Sequence, residues 1–150
     1  MRFLTTLTIL ALGANAVAAP LEPYQDLKPA VLAALADAES LAPQFEAGGT
    51  IYQCGTAFAY LAPVTQRKKN HVAVEIFASA ECSLVAMYHT HPKGDSRFSV
   101  DDIRAVCAAK TVSFIKPKGG AVRMFDCREL SIHAQEAALR GEPISHGIEI

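Results

Sequence analysis

Two histidines one residue apart, His89 and His91, end an apolar run, and Ser99 and Asp102 follow at the opening of a helical pattern. On an extended chain, residues two apart point to the same side, so both imidazoles can face one point in space. A carboxylate brought in by the next element, Asp102, supplies a third metal ligand. The fourth tetrahedral position is then left for water, which is the arrangement of a catalytic rather than a structural zinc. One Zn2+ per chain on His89, His91 and Asp102 would make hydroxide available near neutral pH, because it lowers the pKa of bound water toward about 7.

Each half of this pattern has an ordinary structural use. Ser99 and Asp102 stand three apart ahead of Ile103, Val106 and Cys107, which is the spacing of a capping box that satisfies backbone donors at a helix start. A His-x-His pair alone is a weak signal, and Ser-x-x-Asp alone is more often a cap than a site. The combined spacing carries the metal reading, because these residue types seldom coincide at these intervals by chance.

The run His89-Thr90-His91-Pro92, then seven residues, then Ser99-x-x-Asp102, resembles the motif of the JAMM (MPN+) zinc metalloproteases position for position. Its nearest likeness is to an uncharacterised secreted bacterial branch with a YHTH…FSxxD pattern, often found on large toxin-like proteins. That branch has an upstream E-x-G-G-x-I-Y segment, matched here from Glu46 through Gly48, Gly49 and Ile51 to Tyr52. The likeness covers Glu46 to Cys127. It implies an α+β fold in which a mixed β-sheet of the cytidine-deaminase-like type is flanked by an N-terminal helix and by a helix after the histidine strand. It also implies roles: His89, His91 and Asp102 hold the zinc, Glu46 is the general base, and Ser99 donates to the oxyanion. Glu75 and Glu81 are the rival bases, Glu75 alternating with Val74 and Ile76 on a strand-like run and Glu81 lying at the far end of the histidine run.

Length and composition bound these expectations. A chain of 150 residues, 51% hydrophobic, supports one domain with a proper core and is too short for a (β/α)8 barrel, which needs about 200 residues or more. Formal charge is −1 with both signs scattered, so there is no nucleic-acid footprint. Arg2, the apolar stretch Phe3 to Leu12 and Ala16-Val17-Ala18 read as a signal peptide over residues 1–18, giving export to the periplasm or beyond. That apolar stretch is too short to span a bilayer, so no membrane span is expected. The domain would occupy 19–150, with its core over about 26–127.

The elements that must position the site follow from period and punctuation. Leu27, Val31, Leu35 and Ala38 recur at helical spacing between Asp26 and Ala42, with Pro29 early and Pro43 as the stop. Gly48 to Gln53, Ala57 to Thr65 and Val72 to Phe77 read as three strands of a meander, with the basic turn Arg67-Lys68-Lys69-Asn70 before the third. That turn is most simply solvated; a substrate-docking role is the sharper alternative. Ser83 to Tyr88 reads as a buried strand delivering the histidines, Ser99 to Lys110 as the second helix, and Thr111 to Lys116 and Ala121 to Cys127 as further strands. Beyond Arg128 a helical turn ends near Gly141, and His133 and His146 lack partner spacing and are read as surface residues.

Cys54, Cys82, Cys107 and Cys127 are even in number and lack C-x-x-C spacing, which in an exported chain favours two disulfides over a metal site. If Glu46 and the histidines converge on one metal from antiparallel neighbours, opposed residue numbers sum to a constant. Glu46 opposite Thr90 sets that constant at 136, which also pairs Cys54 with Cys82 and leaves Cys107 for Cys127. Strict alternation then puts Glu46 on the wrong face. A bulge at Gly48-Gly49 would re-aim it and shift the sum by one.

The function the resemblance implies is a secreted zinc-dependent hydrolase of peptide or isopeptide bonds, with a peptide, isopeptide-linked or protein substrate. The alternative is a non-catalytic module of the same fold, or a toxin-associated domain, since metal-free relatives act as scaffolds. A cupin-like barrel also uses His-x-His, but it would be all-β and need a later histidine.

Overall fold

A computed structural model describes residues 24–143 and 148–149; the expected signal segment and His146 lie outside them. The fold is mixed α+β. Helices α1 (Leu27–Leu41) and α2 (Val100–Ala109) pack on a sheet of β1 (Gly48–Cys54), β2 (Ala57–Tyr60), β3 (Cys82–His91), β4 (Val112–Pro117), β5 (Arg123–Asp126) and β6 (Ile148–Glu149), and α3 (Ile132–Arg140) packs on α2. Strand order is β2-β1-β3-β4-β5-β6. β3 is central, antiparallel to β1 and parallel to β4, the crossover between β3 and β4 being made by α2.

Alternation along β3 divides the core. Ala86 and Tyr88 join Ile51, Tyr60, Val112 and Phe114 beneath α1, whose Ala30, Ala34 and Ala38 let the helix approach the sheet closely. Ile115, Phe125, Phe98 and the α2 residues Ile103 and Val106 form the opposite layer, with Met87 packed against it. His89 and His91 continue the Met87 parity and so face the α2 side. α1 ends before Pro43 as expected. α3 is a full helix, capped by the Ser131 side chain and closed by Gly141 at φ 79°, a left-handed position that suits glycine.

Three strand expectations are corrected. Val72 to Phe77 is not a strand, so of the expected meander only the β1–β2 hairpin forms, and β2 is an edge of the sheet. The segment's backbone is instead held by side chains, Gln66 bonding both the N–H and the carbonyl of Ala73, and the Tyr52 hydroxyl accepting from Phe77 N. β2 stops at Tyr60 rather than Thr65, because Pro63 has no N–H to give a ladder, and Val64 returns as an isolated bridge to Gly48. The bulge does not fall at Gly48-Gly49. From Cys54↔Cys82 to Tyr52↔Leu84 the register sum is 136, and from Ile51↔Ala86 to Gly48↔His89 it is 137, so the extra residue is Val85 on β3.

Both disulfides have the expected partners, Cys54 with Cys82 across β1 and β3, and Cys107 of α2 with Cys127 in the 3-10 turn Cys127–Glu129. Such bonds persist in oxidising surroundings. Among the described residues, no helix is long and apolar enough to cross a membrane.

Candidate metal centre

The shift at Val85 resolves the facing problem. With Gly48 opposite His89, Ala47 falls beside Thr90 and Glu46 beside His91, so Glu46 shares the histidine face and not the α1 face. Thr90 pins this geometry. Its N–H donates to the Ala47 carbonyl at 2.9 Å, and its hydroxyl accepts from Ala47 N at 3.1 Å. Glu46 opposite Thr90, as the unbroken register required, is therefore corrected by one residue.

His89 and His91, both buried, bring their Nε2 atoms to 3.0 Å from one another. Asp102 completes the group, Oδ1 at 3.3 Å from His89 Nε2 and Oδ2 at 3.8 Å from His91 Nε2. A tetrahedral zinc with ligand bonds of about 2.0–2.1 Å separates its ligand atoms by about 3.3–3.4 Å. The three separations bracket that value, and the three residues could hold a metal ion. Their chemistry agrees: two imidazoles and a carboxylate aimed at one point repel unless a proton or cation stands between them.

The surroundings fix the protonation. The Asp95 carbonyl lies 2.7 Å from His91 Nδ1 and can only accept, so Nδ1 carries the hydrogen and Nε2 keeps its lone pair for a ligand bond. Burial, aided by the neighbouring His89, lowers the His91 pKa and keeps the ring neutral. Burial works against ionisation of Asp102, but the hydrogen bond and charge of His89 and the Ser99 contacts outweigh it and hold the carboxyl well below its usual range.

Ser99 and Asp102 do form the capping box: Asp102 N donates to Ser99 Oγ at 3.1 Å, and Ser99 N to Asp102 Oδ2 at 2.7 Å. The cap and the metal reading use the same carboxylate. One oxygen satisfies the helix start and the other faces His89, so the cap orients the third candidate ligand.

Glu46 is nearly buried and lines the same cleft, of about 1170 Å3, as His89, His91, Ser99 and Asp102. Burial raises its pKa; Asp102 adds to this, while His89 and Lys93 oppose it. Glu75 and Glu81 are exposed and do not line the cleft. His133 is exposed on α3, as read from the sequence.

Sequence reasoning missed two contributors. The Asp95 carbonyl has no side-chain signature, and only the turn-forming Gly94, at φ 80°, marks it. Thr90 sat between the histidines as a spacer, yet its hydroxyl secures Ala47. Comparison with protein-family models, with curated proteins and with solved structures finds no match in any of the three.

Proposed function

We propose that this chain is an exported hydrolase of the JAMM type that cleaves peptide or isopeptide bonds with one zinc on His89, His91 and Asp102. What carries the reading is the convergence of these three ligand atoms with a buried carboxylic acid, Glu46, in one cleft. A zinc ion there supplies Lewis acidity and hydroxide near neutral pH. Glu46 accepts a proton from the attacking water and returns it to the leaving nitrogen; its raised pKa brings it closer to the range in which one group can do both. His91 is held in the ligating tautomer by the Asp95 carbonyl, and Asp102 is aimed by the helix cap. Ser99 Oγ accepts from Asp102 N, and its O–H donates to the developing oxyanion, a contribution of roughly 3 kcal/mol where such donors have been removed. Export, and the signal segment before residue 19, accord with the two disulfides. The alternative, a non-catalytic module, leaves the burial of Glu46 beside three ligand atoms without a use.

The test is cleavage of a degenerate peptide library and of isopeptide-linked peptides, read by mass spectrometry. Zinc-loaded protein should cut and chelated protein should not. Glu46→Gln should keep zinc and fold but lose at least about a hundredfold in rate, because an amide cannot take the proton. Full activity in Glu46→Gln, or activity indifferent to chelator, would refute the reading.

A further inference from the structure

The basic turn has a place in the cleft. The Glu46 N–H donates to the Lys68 carbonyl at 2.8 Å, and the Thr65 hydroxyl donates to the Glu46 carbonyl at 2.7 Å while accepting from Arg67 N at 3.1 Å. The turn is thus sewn to the backbone of the residue read as the base, and Lys69 and Asn70 line the cleft beside it. A second cation, Lys93, comes from the turn after His91, lines the same cleft and acts electrostatically on the Glu46 carboxyl.

The acidic groups of the cleft can be accounted for one by one. Its acidic lining residues are Glu46, Asp95, Asp101 and Asp102. Asp95 is bonded to Arg97, Asp101 to Arg104, and Asp102 to the histidines and the Ser99 cap. Glu46 belongs to the centre. Among the described residues, Lys69 and Lys93 form no ion pair, and both are exposed to solvent. Two lysines outside any ion pair thus line the cleft, Lys69 in the turn bonded to the Glu46 backbone and Lys93 in the turn after His91.

We infer that Lys69 and Lys93 form a carboxylate-binding subsite, so that the cleft takes peptide segments bearing an acidic side chain or a free C-terminal carboxylate near the scissile bond. The inference rests on reading the cleft as a peptide site, and it deepens that reading by naming the substrate class. Lysine suits this role, since a mobile ammonium reaches a carboxylate without the fixed bidentate geometry of arginine. Both lysines are solvated, so the attraction weakens with salt. Each exposed pair is worth up to a factor of about five, and the two together about tenfold.

The experiment is an NMR titration of the mature chain, in chelator so that binding is read without turnover. The probes are alanine hexapeptides with one central Glu or Gln, each with a free or an amidated C-terminus. The Glu peptide with an amidated end should bind about tenfold tighter than its Gln counterpart if side-chain carboxylates are selected. The free-ended Gln peptide should show the preference if the terminus is selected. In Lys69→Ala/Lys93→Ala the preference should fall to within about twofold, and Lys69→Glu/Lys93→Glu should favour a Lys-containing peptide. Equal binding of all four peptides, no binding of any, or a preference that survives the double alanine variant would overturn the subsite. Because the titration needs no zinc, a selective cleft that never cuts would refute the hydrolase and leave the subsite standing.

Discussion

Gly48 lies directly opposite His89, and a Cβ added to it would fall on the Tyr88 carbonyl oxygen and 2.7 Å from the His89 Cβ. His89, the first candidate ligand, is thus held against a backbone that admits no side chain. Here the obstacle is close approach by neighbouring backbone, and no positive φ is involved. Gly48→Ala should push β1 and β3 apart at the histidine end, costing about 1–3 kcal/mol by overpacking. Urea denaturation checks the stability, and a zinc titration should show weaker binding because His89 moves.

The disulfides divide the labour. Cys54–Cys82 ties β1 to β3 at the end away from the site, and Cys107–Cys127 ties α2, which carries Asp102 in its first turn, to the segment after β5. The sequence separations are 28 and 20, for which chain entropy gives roughly 3 to 4 kcal/mol apiece. Cys54→Ala/Cys82→Ala and Cys107→Ala/Cys127→Ala should each lower stability by that order. Non-reducing peptide mapping should find only these two linkages, and a Cys54–Cys107 fragment would contradict the strand order.

Much of the frame was legible because its signals are local. Pro43 stops α1, and Ser99 and Asp102 open α2. The pairing of Cys54 with Cys82 comes out right because the bulge at Val85 cancels the one-residue error in setting Glu46 opposite Thr90. What was not legible depends on partners distant in sequence. Val72, Val74 and Ile76 alternate as a strand would, but the segment joins no ladder, and Gln66 and Tyr52 hold its backbone instead. The bulge was needed for Glu46 to face the histidines, and glycines marked one place for it; Val85, a β-former with no turn signature, was the residue displaced. Carbonyl contacts such as Asp95 to His91 leave no trace in residue type.

Acid should act on the metal-free protein through His91. Its pKa is lowered from the ordinary 6.5 by burial, so below that pH the unfolded chain binds more protons than the folded one and stability falls. The contribution is fully present above about 6.5 and is lost as pH falls toward the folded value. Asp102, depressed chiefly by His89 against the effect of burial, contributes stability that is lost only at lower pH, beneath the ordinary carboxylate range. Denaturation midpoints in chelator should therefore drop as pH falls below about 6.5. His91→Gln should flatten that drop. Zinc affinity should fall over the same interval, since protons and metal compete for the imidazoles.

The zinc content of the purified mature protein, measured beside His91→Ala and Asp102→Ala, tests the metal centre most directly. Wild type should carry about one zinc per chain, and each variant should lose most of it, because two remaining ligands make a poor site. Asp102→Ala also removes half of the capping box, a cost of about 1 kcal/mol that leaves the fold intact for the comparison. Circular dichroism establishes that each variant is folded. Equal zinc in all three proteins, or none in folded wild type supplied with zinc, would contradict the assignment of His89, His91 and Asp102 as ligands.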